Sequence, residues 1–257
     1  MIYGFLVYFP IDKILLFLYN TIHPLRGPSV HFDRRRQCIL NPFSYDGLLV
    51  RFLNLVADLV ALHVLWLLCS LPIVTMGAST TALYYASMRR IRTDESHVHQ
   101  NFFRSFRQNF RQSTLLWLMM LVVGAVLLLD FRLGLAMEGP LSTAVLVVSS
   151  IVTVPFLMTS LYVFPVVAKF HNPIRAHVKN AFLMSFLNFP YTLLLALVLG
   201  TFIFFSMHFI PFLGLVILCG AGIYGYLTSG IFVQIFRKYL PNELEQDMDK
   251  TDLTYHG

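Results

Sequence analysis

The chain has 257 residues, of which 57% are hydrophobic and only 12% charged, where an ordinary soluble domain carries about 25% charge. A water-soluble fold of this size has too little interior to hide that much apolar surface, so an ordinary globular enzyme domain is excluded. The formal net charge of +6 does not point to nucleic acid, because the basic residues sit at the ends of apolar runs, where they act as topology signals and lipid-headgroup contacts.

Residues 1–20 are apolar but interrupted by Pro10, Asp12 and Lys13, which favours a surface-lying or disordered lead over a span. They lack the basic start and small-residue cleavage site of a secretory signal. Residues 21–43, with Pro24, Pro28, Pro42 and the run Arg34-Arg35-Arg36, read as an exposed linker. The expected organisation is an extension over 1–40, a membrane domain over 41–240 and an acidic cytoplasmic tail over 241–257.

From Tyr45 the chain turns apolar. A first helix is expected over about 45–71 and a shorter second one over about 73–91, since Pro72 disfavours continuation and Gly77-Ala78-Ser79-Thr80 resembles a turn feeding a helix start. The rival reading makes 59–88 a single kinked span. A basic stretch follows with Arg89, Arg90, Arg92, Arg104, Arg107 and Arg111, the strongest cytoplasmic mark in the chain. Residues 112–129 read as a span ended by a charged loop at Asp130, Arg132 and Glu138, and 139–168 as a long span containing Pro155 and Pro165. A second basic loop is expected over 169–188. Residues 180–236 contain no Lys, Arg, Asp or Glu and divide near Pro211 into spans at about 190–209 and 212–235. About 20 apolar residues suffice for one crossing. The expected fold is therefore all-α, a polytopic transmembrane helical bundle of six spans, five being the alternative, with both termini in the cytoplasm. Six crossings keep Arg34-Arg35-Arg36 and the Arg237-Lys238 pair on the same, permitted side.

Asp58 stands out within the apolar runs, because an acid near a helix midpoint must find a partner or water. With His63 and Arg51 it forms either a structural clamp between helices or a ligand or proton site. Ser79, Thr80 and Tyr84 lie at the start of the short helix, where small and hydroxylated residues permit close packing and where a helix N-terminus can receive an anion. Between Asn101 and Gln112, Phe103, Phe106 and Phe110 recur at helical spacing with Arg104, Arg107 and Arg111 one step round. That pattern predicts an interfacial helix, serving as a lipid-headgroup anchor or as a docking surface for a cytoplasmic partner.

A faint echo links Asn109 to Leu116 with Asn188 to Leu194, each joining a cytoplasmic segment to a span. Cys38, Cys69 and Cys219 share no metal or disulfide spacing and read as packing residues. His97/His99 and His171/His177 do not place paired rings on one helix face. No cofactor, metal or catalytic motif is indicated.

With these segments placed, Leu67–Tyr85 (LLCSLPIVTMGASTTALYY) and Phe102–Gln112 (FFRSFRQNFRQ) resemble the YesL family of bacterial integral membrane proteins, also classed as a domain of unknown function, DUF624. Asn41-Pro42-Phe43, Arg51–Asp58 (RFLNLVAD), Gly139-Pro140-Leu141-Ser142 and Tyr162-Val163-Phe164-Pro165 agree with it, so the likeness covers about 41–240. Family members begin close to the Asn41 position, whereas 40 further residues precede it here. The resemblance implies association with carbohydrate uptake, through a sugar transporter or a membrane sensor, and no established reaction. The reading that follows is a non-enzymatic accessory protein of the cytoplasmic membrane, the alternative being a small-solute transporter.

Overall fold

The computed structural model describes residues 48–93, 97–170 and 172–239, and all regular structure within them is helical. The N-terminal segment and linker, Cys38, His171 and the acidic tail lie outside the described residues.

Helix α1 (Leu48–Ser70), apolar apart from Arg51, Asn54, Asp58 and His63, stops two residues before Pro72. Proline drives the residue before it out of the helical region, and a single 3-10 turn, Ile73–Thr75, reverses the chain. Thr75 closes this turn: its hydroxyl Oγ1 lies 2.6 Å from the Cys69 carbonyl and 2.8 Å from that of Pro72. The Trp117 indole donates to the Ile73 carbonyl over 2.9 Å. The expected break at Pro72–Gly77 is therefore a true reversal. Helix α2 (Met76–Thr93) folds back on α1, with the Trp66 indole donating to Thr80 Oγ1 at 3.2 Å and Arg90 meeting Asp58. A single kinked helix over 59–88 is ruled out by these contacts.

Helix α2 differs from its neighbours. Eleven of its 18 residues are buried, and it packs on α1, α3, α4 and on the last helix, α7 (Ile210–Tyr239). Five helices among the described residues are long and apolar enough to cross a membrane: α1, α3 (Val98–Ala136), α4 (Pro140–Lys169), α6 (Phe189–His208) and α7. Only 6% to 22% of the most apolar stretch of each is buried within the protein, so those surfaces face lipid. The second helix, on which a count of six turns, is not among the five: protein, not lipid, covers most of it.

Charge alone misplaced three boundaries. Helix α3 continues through Asp130 and Arg132, which had been assigned to a loop, and stops only at Met137, where Gly139 adopts φ +88°. A non-glycine residue is disfavoured there. The Ser142 hydroxyl donates to the Gly134 carbonyl at 2.6 Å, tying α3 to α4. The second basic loop contains a further helix, α5 (Ile174–Leu187), with His177, Ala181, Met184 and Ser185 buried. The segment 101–112 is not a separate helix: it is the unbroken start of α3, about 58 Å long in all.

The turn between α5 and α6 is built on Asn188, whose side-chain amide donates to the Met184 carbonyl (3.1 Å) and to the Tyr239 hydroxyl (2.9 Å). Thr192 then donates to the Ser185 carbonyl at 2.7 Å and receives Tyr162 OH at 2.9 Å. Asn109, by contrast, sits mid-helix and bonds Ser105 Oγ. The two echoed segments thus have different local structures. Pro211 falls in the first turn of α7, where a missing N–H costs nothing, and the break from α6 is at Phe209.

The largest core gathers Tyr84 and Met88 of α2, Leu116 of α3, Tyr162–Ala168 of α4, Ala181 and Met184 of α5, Leu195 of α6 and Ile231–Phe236 of α7. A second, smaller core joins Leu62 of α1 to Ala82, Leu83 and Ala86 of α2 and to Val98 and Phe102 of α3. Glycine sets the closest approaches. A Cβ at Gly222 would stand 2.1 Å from the Leu59 carbonyl oxygen, and one at Gly77 2.6 Å from the Ser113 carbonyl oxygen. Backbone cannot retreat as a flexible side chain does.

Gly222→Ala should therefore force α1 off α7 and destabilise the protein by about 1–3 kcal/mol, the usual cost of overpacking. Gly200, with nothing within 4 Å of its Cβ position, is the control. Thermal melts in one detergent should show a lowered transition for Gly222→Ala and none for Gly200→Ala. Equal transitions would mean that the α1–α7 contact yields.

Candidate functional site

The polar residues singled out in the sequence lie where α1, α2 and α7 meet. Asp58 and Arg90 form a salt bridge, Nε to Oδ2 2.8 Å, with side chains 9% and 10% exposed. A guanidinium is the partner a poorly solvated carboxylate needs, since it neutralises the charge and offers several donors in a fixed plane. In the sequence Arg90 reads only as part of the basic stretch that marks the cytoplasmic side. Arg51 is exposed and lies outside this cluster.

His63 is 6% exposed and turned to α7. The Ala221 N–H donates to its Nδ1 at 3.1 Å, and its Nε2 lies 2.9 Å from the Ile217 carbonyl oxygen. A backbone N–H can only donate and a carbonyl can only accept. The ring is therefore neutral with its proton on Nε2, both nitrogens being engaged. Trp66 stacks beside it, centroids 6.3 Å apart.

Helix α2 carries the remaining members. Thr80 Oγ1 donates to the Met76 carbonyl at 2.8 Å while accepting from Trp66. Thr81 Oγ1 donates to the Gly77 carbonyl at 3.0 Å, so Ser113, 2.9 Å away, is the donor in their shared bond. Tyr84 packs edge-on against Phe232, centroids 5.8 Å apart, with its hydroxyl 3.4 Å from Thr228 Oγ1. Ser79 is fully buried, and its hydroxyl, like those of Ser87 and Ser229, has no hydrogen-bond partner.

Thus Asp58, His63, Thr80 and Tyr84 each reach across to another helix, but to separate partners. They do not converge on one reacting centre. No group of three or more His, Cys, Asp or Glu comes together among the described residues.

A second set lies on α3. Arg104, Arg107 and Arg111 are exposed beside Phe103 (52%) and Phe110 (40%). The packed face of this segment is formed instead by Val98, Asn101, Phe102, Ser105, Asn109 and Ser113. The stripe of small polar residues at 101, 105, 109 and 113 repeats every four positions, a helical period that the sequence itself carries beside the larger aromatic rings. The partners of Asp58 and His63 had no local signal, lying 32 residues and more than 150 residues away.

Comparison with known proteins places these elements in context. The family described as "Protein of unknown function, DUF624" matches residues 59–131, from α1 to near the end of α3. The "Uncharacterized protein YesL" of Bacillus subtilis (strain 168) is 32% identical over 149 residues, covering 56% of this chain and 70% of that protein. No solved structure matches. The matched stretch contains the α1–α2 reversal, Arg90, His63 and the basic face of α3, and the chain belongs to the DUF624 family of YesL-like proteins.

Proposed function

We propose that this protein is a non-enzymatic accessory or regulatory component of the bacterial cytoplasmic membrane, acting by contact with a transporter or sensor protein engaged in carbohydrate uptake. The observation that carries this reading is the division of its polar side chains. Asp58, His63, Thr80, Thr81 and Ser113 are engaged with other helices, whereas Arg104, Arg107 and Arg111 stand on the outer face of α3. Three exposed guanidinium groups flanked by exposed phenyl rings suit an acidic protein surface at the membrane boundary. The carbohydrate context rests on the family resemblance.

The second reading, a small-solute transporter, is favoured by one feature: the unbonded, fully buried hydroxyls of Ser79, Ser87 and Ser229. Such groups cost free energy unless something hydrogen-bonds to them. We also propose six crossings with both termini in the cytoplasm, α2 crossing within the protein's own interior.

Tagged protein purified from native membranes should carry a specific partner that is lost when Arg104, Arg107 and Arg111 are all changed to Gln, with insertion unchanged. A partner retained by the triple variant would refute docking on α3. Purified protein in liposomes should move no sugar, and uptake above empty vesicles would establish the transporter instead. Replacing Asp58 by Asn should cost about 3–5 kcal/mol, because it breaks the poorly solvated ion pair between α1 and α2. That loss should appear as reduced abundance, partly restored by Asp58→Arg combined with Arg90→Asp. Normal abundance with lost function would make Asp58 a working site. Epitope tags at each end should be inaccessible in intact cells, and an external N-terminus would reduce the count to five.

A further inference from the structure

The two groups that His63 engages, the Ile217 carbonyl and the Ala221 N–H, are the pair that bond to each other in an uninterrupted α-helix. A side chain inserted into that ladder is a recognised cause of helix bending. We propose that His63 is the pin of a hinge in α7: its neutral ring replaces the direct 217–221 bond and joins an outer arm to a fixed inner segment.

The character of α7 changes at that point. Ile210, Leu213, Leu215, Ile217 and Leu218 are all more than 40% exposed, Ile210 reaching 84%. From Cys219 to Phe236 the buried positions recur at every turn, pressed against α1 and α2, with Phe232 edge-on to Tyr162 of α4, 5.1 Å between centroids. The inner segment is fixed by backbone contact, Leu59 against Gly222, and by Gly225 against Leu83. The outer arm has aromatic contacts to α6 instead: Phe212 meets Phe202 and Phe205, centroids 5.6 and 5.7 Å apart. Phe205 in turn stacks on Phe209 at the α6–α7 turn, 5.1 Å between centroids. The α6–α7 tip thus carries an aromatic cluster, joined to the inner segment along α7 through the 217–221 step and across to Tyr224 through Phe202 of α6, 5.7 Å between centroids. Gly220 and Gly222 flank Ala221, and glycine resists a change of backbone direction less than any other residue.

The chemistry of the pin is specific. It requires one acceptor and one donor at fixed separation, which neutral imidazole supplies and a primary amide approximates. Leucine supplies neither, leaving Ile217 and Ala221 free to bond directly.

Spin-labelled non-natural residues at Ile210 on the outer arm and Val122 on α3 leave the native cysteines intact and report the arm's position. His63→Leu should shift the Ile210–Val122 distance distribution, whereas His63→Gln should keep that of the wild type. A wild-type distribution in the Leu variant, or equal shifts in both, would overturn the hinge. If the Leu variant fails to accumulate, the ring itself decides: nitrogen NMR of the wild type should find Nδ1 bare and Nε2 protonated. A proton on Nδ1 would exclude the arrangement.

Discussion

Inside a bilayer no water is available to a polar group, so each one must be satisfied by the protein or remain as a cost. The bundle obeys this constraint chiefly at the meeting of α1, α2 and α7. Asp58 finds Arg90, His63 finds the α7 backbone, and the Trp66 indole finds Thr80. Each is a contact between helices, so the groups that are hardest to bury also fix which helix sits beside which. An apolar surface has no such selectivity in lipid, because lipid tails are as apolar as leucine.

Close backbone approach supplies the other half of the specification. Gly222 against Leu59 and Gly77 against Ser113 bring helices nearer than any side chain would permit. Only at that range can a ring as short as imidazole reach across to a helical carbonyl. The glycines and the polar contacts are therefore coupled. Helix α2, rich in Gly, Ala, Ser and Thr, is the element that makes such proximity possible on several sides at once, and its burial follows from that composition.

Much of this arrangement was legible in the sequence, and the exceptions have physical reasons. The break at Pro72 and the division near Pro211 were readable because proline acts locally on φ and on hydrogen bonding. The end of α3 was misplaced because Asp130 and Arg132 are poor residues for hydrocarbon but no obstacle to a helix. Charge marks the membrane boundary, whereas the helix ends where Met137 turns extended, and Gly139 opens the way into α4. Asp58 is recognisable from the sequence as needing a partner, yet Arg90 reads there only as one charge of a basic, cytoplasmic stretch. Phe103 and Phe110 stand on the exposed face of this segment, while the buried face is marked by Phe102 with Asn101, Ser105, Asn109 and Ser113.

The stretch shared with the DUF624 family begins at Leu59 and ends at Phe131, so it includes His63, Gly77, Thr80, Thr81, Arg90 and Ser113 but not the α7 residues they help to hold. A segment that carries one side of a tight contact constrains the other side, because an approach of backbone to backbone admits little beyond glycine. Within this stretch the second half of α1 is folded back on α2, and both pack against α7, which lies outside it. Two sets of charged residues are thus kept apart: Asp58 and Arg90 join helices within, and Arg104, Arg107 and Arg111 of α3 face outward. Activity that depended on Asp58 would have to break the pair that positions α2, whereas activity at the α3 surface leaves the bundle untouched.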